Sequence, residues 1–113
     1  HRAMEQARVS TAAGNLKTIW SAQRVYWLEY RTFTQEMDTL QSMDLLNPDI
    51  VNSLTEPDVP FVYQITSADE NSFTAVAIRN ASGVWAGQIS IDQTGQIEGQ
   101  IVGPDGYVIE PPQ

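Results

Sequence analysis

The longest unbroken pattern in the chain runs from Ala3 to Arg31, with apolar and small residues at Val9, Ala12, Ala13, Leu16, Ile19, Trp20, Ala22, Tyr26, Trp27 and Tyr30. Steps of three and four place them on one stripe of a helix. No proline interrupts the segment, and Ala, Leu, Gln, Glu, Arg and Lys supply most of its helix propensity. At 1.5 Å per residue such a helix is about 40 Å long, more than a small domain needs. Its stripe is thin from Val9 to Ala13 and wide and aromatic from Leu16 to Tyr30. The expectation is that a sheet covers the aromatic half, while the first turns stay bare as part of a longer helix. Gln23 falls in the seam and needs a partner if buried. Gly14 costs about 1 kcal/mol relative to alanine inside a helix, and Arg2, Glu5 and Arg8 are spaced for pairing on an exposed face.

The pattern breaks at Arg31-Thr32-Phe33. Thr34 is the expected N-cap of a short second helix, with Glu36 and Asp38 in its first turn. Met37, Leu40, Met43, Leu45 and Leu46 form its stripe, Asn47-Pro48 stops it, and Ile50 to Pro60 reads as a connecting loop. From Phe61 the period changes to two. Strands are expected at Phe61 to Thr66, Phe73 to Arg79, Ala86 to Ile91 and Gln96 to Val102, with turns at Ser67 to Asn71, Asn80 to Gly83 and Asp92 to Gly95. Gly95 suits the left-handed position of the last turn. The tail holds a turn at Gly103 to Gly106 and room for one more short strand at Tyr107 to Ile109. The fold class is therefore α+β, a long N-terminal helix packed against a four-stranded antiparallel meander. It forms one domain, with the helical shaft at 1–31, a short helix and loop at 32–60, and the sheet and tail at 61–113.

Composition narrows the chemistry. The 113 residues include no cysteine, which removes disulfides, thiol catalysis and Cys-ligated zinc. The sole histidine is His1, so no Ser-His-Asp arrangement and no histidine metal spacing is available. The acids have no special context for general acid–base work, and the chain does not read as an enzyme. Calcium is the one cofactor to weigh, through Asp69, Glu70 and Asn71 in one turn and Asp92 or Asp105 in others. None follows the Asp-x-Asp-x-Asp-Gly pattern, and Asp and Asn serve turns by bonding their own backbone; no cofactor is expected. No run of 18 apolar residues occurs, and Asn80-Ala81-Ser82 fits a glycosylation sequon.

Charge is unevenly divided. Residues 1–31 carry five Lys or Arg against two acids, whereas from residue 32 onward Arg79 stands alone against twelve acids, balances of +3 and −11 within the total of −8. An acidic head repels polyphosphate, so direct nucleic-acid binding is not expected. The division allows the basic shaft of one copy to meet the acidic head of another. Trp85, beside a glycine-containing turn, is either a core residue or a candidate surface contact.

Several segments resemble the bacterial type IV pilin and type II secretion pseudopilin family. They are AGNLKTIWSAQRVYWLEYRTFT at Ala13 to Thr34, the short helix around Met37 to Leu40, SFTAVAIR at Ser72 to Arg79, and SIDQTGQI at Ser90 to Ile97. The resemblance implies a structural subunit that polymerises with itself and with other pilin or pseudopilin subunits. It also implies an apolar segment upstream of this chain that holds the subunit in the inner membrane before assembly into a periplasmic or cell-surface filament. In that setting Val9, Ala12, Ala13 and Leu16 are expected to bury between subunits, with Arg8, Lys17 and Arg24 setting register against acidic heads. Two departures leave the branch open: the C-terminal disulfide of many type IV pilins has no cysteines here, and the calcium loop of major pseudopilins has no match in Gly103 to Gln113. The rival reading is an extracytoplasmic ligand-binding module with Trp85 and Tyr107 as its platform.

Overall fold

A computed structural model describes residues 2–56, 58–80 and 83–113. Helix α1 spans Arg2–Tyr30, followed by α2 at Met37–Ser42 and α3 at Pro48–Val51. Among the described residues five strands then run in order: β1 Phe61–Ala68, β2 Phe73–Arg79, β3 Ala86–Asp92, β4 Ile97–Val102 and β5 Val108–Ile109. They form one antiparallel sheet whose spatial order is the chain order, so the architecture is α+β, a long helix on a meander. The strand count rises from the expected four to five, because a 3₁₀ turn at Pro104–Gly106 brings Val108 and Ile109 back against Val102 and Ile101. His1 and the middle of the expected Asn80 to Gly83 turn, with its sequon, lie outside the described residues.

Each break in the helices has a local cause. At the end of α1, Arg31 takes a left-handed conformation (φ 59°) and its N–H donates to the Trp27 carbonyl at 2.7 Å, closing the helix without the usual glycine. The next helix begins at Met37 rather than after Thr34. The Thr34 hydroxyl instead accepts from the Glu36 N–H at 3.1 Å, a turn that delays the helix by two residues. It also stops earlier than Asn47-Pro48. Asp44 is left-handed (φ 59°), Leu45 N–H reaches the Leu40 carbonyl and Asp44 N–H the Gln41 carbonyl, the paired bonds of a Schellman stop. Asn47-Pro48 then opens α3, the Asn47 side chain accepting from the Asp49 N–H at 2.8 Å with proline at the first helical position. The expected loop thus begins as a helical turn.

The core lies between the sheet and the first two thirds of α1. Val9, Ala12, Ala13, Leu16, Ile19 and Ala22 meet Phe61, Tyr63, Ile65, Phe73, Ala75, Ala77, Ile89, Ile91, Ile97 and Ile101 in one buried cluster. The expectation of bare first turns is corrected: Val9 and Ala12 are wholly buried under this chain's own sheet. Side-chain size explains the inversion. Ala12, Ala13 and Ala22 on the helix and Ala75 and Ala77 on β2 leave little between the layers, so α1 can lie close against the sheet where indoles would hold it off. Trp20 and Trp27 are displaced to the flanks, where their indole N–H groups donate to the Gln93 carbonyl at 3.0 Å and the Glu70 carbonyl at 2.9 Å.

Buried polar groups complete the fit. The Gln23 amide donates to the Thr34 carbonyl at 2.6 Å and accepts from the Thr34 N–H at 3.0 Å, pinning the loop after α1 to the seam. Gln23→Ala should therefore lower the unfolding free energy by about 1–3 kcal/mol, the cost of stranding that backbone pair. A urea midpoint unchanged from the parent would contradict this.

Candidate functional site

Among the described residues no three His, Cys, Asp or Glu side chains converge as metal ligands, and no helix is long and apolar enough to cross a membrane. The acids weighed for calcium serve their turns. Asp69 Oδ1 accepts from the Asn71 and Ser72 N–H groups, both at 2.8 Å, and from the Ser72 hydroxyl. Asp92 Oδ1 likewise accepts from the Thr94 N–H and hydroxyl, and Asp105 takes a left-handed conformation inside the 3₁₀ turn. Bonds from the Asn71 and Ser72 backbone hold the Asp69 carboxyl below its ordinary range. A lowered pKa means stability present above the ordinary carboxylate range and lost as pH falls toward the depressed value. Asp69→Asn should remove that component from the acid side of the stability curve, as a parallel pH series of unfolding would reveal.

The four residues expected to pack between subunits are already covered. Val9, Ala12, Ala13 and Leu16 are at most 2 % exposed within a single chain, so they have no surface left for a neighbour. Trp85, for which the sequence leaves both core burial and a surface contact open, is buried, with 5 % exposure. Gly103 makes this possible, because a Cβ there would lie 2.3 Å from the Trp85 ring. Trp85 also meets Tyr107 edge-on at 6.2 Å, and the guanidinium of Arg2 stacks 4.0 Å over Tyr107. The proposed aromatic platform is thereby folded into the chain's own packing.

The cations of α1, and Arg31 just past its end, find partners in the same molecule. Lys17 Nζ donates to the Gly95 carbonyl at 2.8 Å, while Arg24 and Arg31 stack at 4.6 Å on Trp20 and 4.8 Å on Trp27. Gly95 is left-handed as expected (φ 81°), and a Cβ there would lie 2.8 Å from the Trp20 ring. Arg8 stands 3.5 Å from Glu5, yet Glu5 is not on an exposed face. It is fully buried and held by Arg79, whose Nε donates to Oε2 at 2.6 Å and Nη2 to Oε1 at 2.9 Å. The remaining nitrogen, Nη1, donates to the Pro60 and Asn80 carbonyls. The one cation of the acidic part thus locks the first turns of α1 to the sheet. Nothing local in the sequence marks this pair, which is separated by 74 residues.

Two features of α1 remain turned outward. Ala3, Ala7, Thr11, Gly14, Thr18 and Ser21 are exposed at three- and four-residue steps, forming a small, uncharged face opposite the core. At its end Val25 and Leu28 are 46 % and 67 % exposed. They line a groove of about 620 Å³ with Ser21, Arg24, Trp27, Phe33 and Gln93. These are the outward surfaces that α1 offers. Comparison with known proteins gives no family match and no similar curated protein.

Proposed function

We propose that this chain is the folded part of a structural subunit of a type IV pilus or type II secretion pseudopilus, acting by polymerisation rather than by catalysis. The observation that carries the reading is the division of α1, a 29-residue helix. One face is consumed by its own sheet, and the other is a continuous row of small, uncharged residues from Ala3 to Ser21. Such a row lets a neighbouring helix come close, since the distance between packed helices is set by the side chains at the contact. The hydroxyls of Thr11 and Thr18 turn back onto the carbonyls of Ala7 and Gly14, both at 3.1 Å, which leaves that face with few polar demands.

The resemblance of Ala13 to Thr34, Ser72 to Arg79 and Ser90 to Ile97 to pilin segments supports the same reading. In it, an upstream apolar segment holds the subunit in the inner membrane and then packs in the filament centre. The outward row of α1, and not Val9, Ala12, Ala13 or Leu16, continues that helix packing toward the periphery. The test is electron microscopy of filaments sheared from cells that overproduce the full-length protein, labelled with an antibody against this domain. Label along filaments is the expected result; label confined to unassembled protein would oppose it.

A further inference from the structure

Leu54 is 67 % exposed, as exposed as Leu28. It lies on the β1 flank, beside a hollow lined by Met37, Val51 and Ile65. Its surroundings are acidic: residues 36–58 hold six Asp or Glu and no cation, and Glu56 and Asp58 are both exposed. The groove over Val25, Trp27, Leu28 and Phe33 has the opposite character. Those four apolar side chains make up most of its lining, Arg24 stands among them, and Arg31 is stacked on Trp27.

We propose that this groove receives Leu54 of a second copy of the chain, with Glu56 and Asp58 of that copy facing Arg24 and Arg31. The argument is complementarity of both kinds: an exposed leucine set among acids matches an open apolar groove set among cations. The two surfaces share no residue. The groove lies between the C-terminal half of α1 and the β3–β4 turn, whereas Leu54 lies on the β1 side of the sheet. One copy can therefore give its leucine and receive another at the same time. A contact between unlike patches does not close on itself as a two-fold dimer does, and repeated it builds a ring or a filament. The proposal deepens the filament reading and rests on it for the setting in which copies meet.

The test is disulfide trapping in cells carrying the full-length protein, which this cysteine-free domain makes clean. Leu28→Cys and Leu54→Cys chains are co-expressed and oxidised, with Leu28→Cys and Val108→Cys as the control, Val108 being 42 % exposed and outside both surfaces. A 28–54 link, identified by mass spectrometry and well above the 28–108 link, is expected. Reversing Arg24 and Arg31 to glutamate should cut it about tenfold, as opposed charges become like charges. Reversing Glu56 and Asp58 to arginine in the other chain should restore it. A 28–54 yield no higher than the control overturns the contact, and if labelled filaments still form the filament reading survives that result. A specific 28–54 link in cells without filaments upholds the contact and removes the filament reading.

Discussion

Arg79→Met should lower the unfolding free energy by about 3–5 kcal/mol, the usual cost of leaving one charge of a buried pair without its partner. Glu5 has no exposure and Arg79 has 6 % at its side chain. Arg8, at 3.5 Å and 42 % exposed, is too solvated to replace a guanidinium bonded to both carboxylate oxygens. The first two turns of α1 should loosen first, read as faster amide exchange from Glu5 to Val9 than at Ile19. Glu5→Met combined with Arg79→Met should recover most of the loss, because two apolar side chains demand no compensation. If the single variant costs under about 1 kcal/mol, the pair is not the lock described.

Leu16→Ala should cost about 2–5 kcal/mol in the isolated folded domain, through lost burial and the cavity left under the sheet. Leu28→Ala, on the same helix but 67 % exposed, should stay within about 0.5 kcal/mol. The contrast separates two accounts of α1. A Leu16 that served only contacts between subunits would leave single-chain stability untouched, and its midpoint in urea would match the parent. A large loss at Leu16 with none at Leu28 is the result that places the core where the structure has it.

How much of this could be read in advance depends on the range of the interaction. The helix, the period-two strands and the Gly95 turn rest on neighbours in sequence, and the structure reproduces them within a residue or two. Gln23 was also legible, since an amide in an apolar seam demands a partner. What could not be read is where layers meet. Aromatic bulk from Trp20 to Tyr30 looks like core in a one-dimensional pattern, yet closeness between α1 and β2 favours alanine and sends the indoles to the edges. The Schellman stop at Asp44 was hidden because aspartate replaces the glycine that usually marks it. The sequence leaves Trp85 open between core and surface for a related reason: the space that buries it is made by Gly103, 18 residues further along the chain. The Glu5–Arg79 lock and the Leu54 and groove surfaces depend on tertiary placement alone.

The central claim is assembly into a membrane-derived filament, and its most direct test is the mature N-terminus of the native protein, by mass spectrometry of membrane-extracted material. The account predicts a methylated terminal residue, then about 20 apolar residues running into the helix at Ala3. A mature chain beginning near Ala3, with no apolar segment before it, would contradict the account.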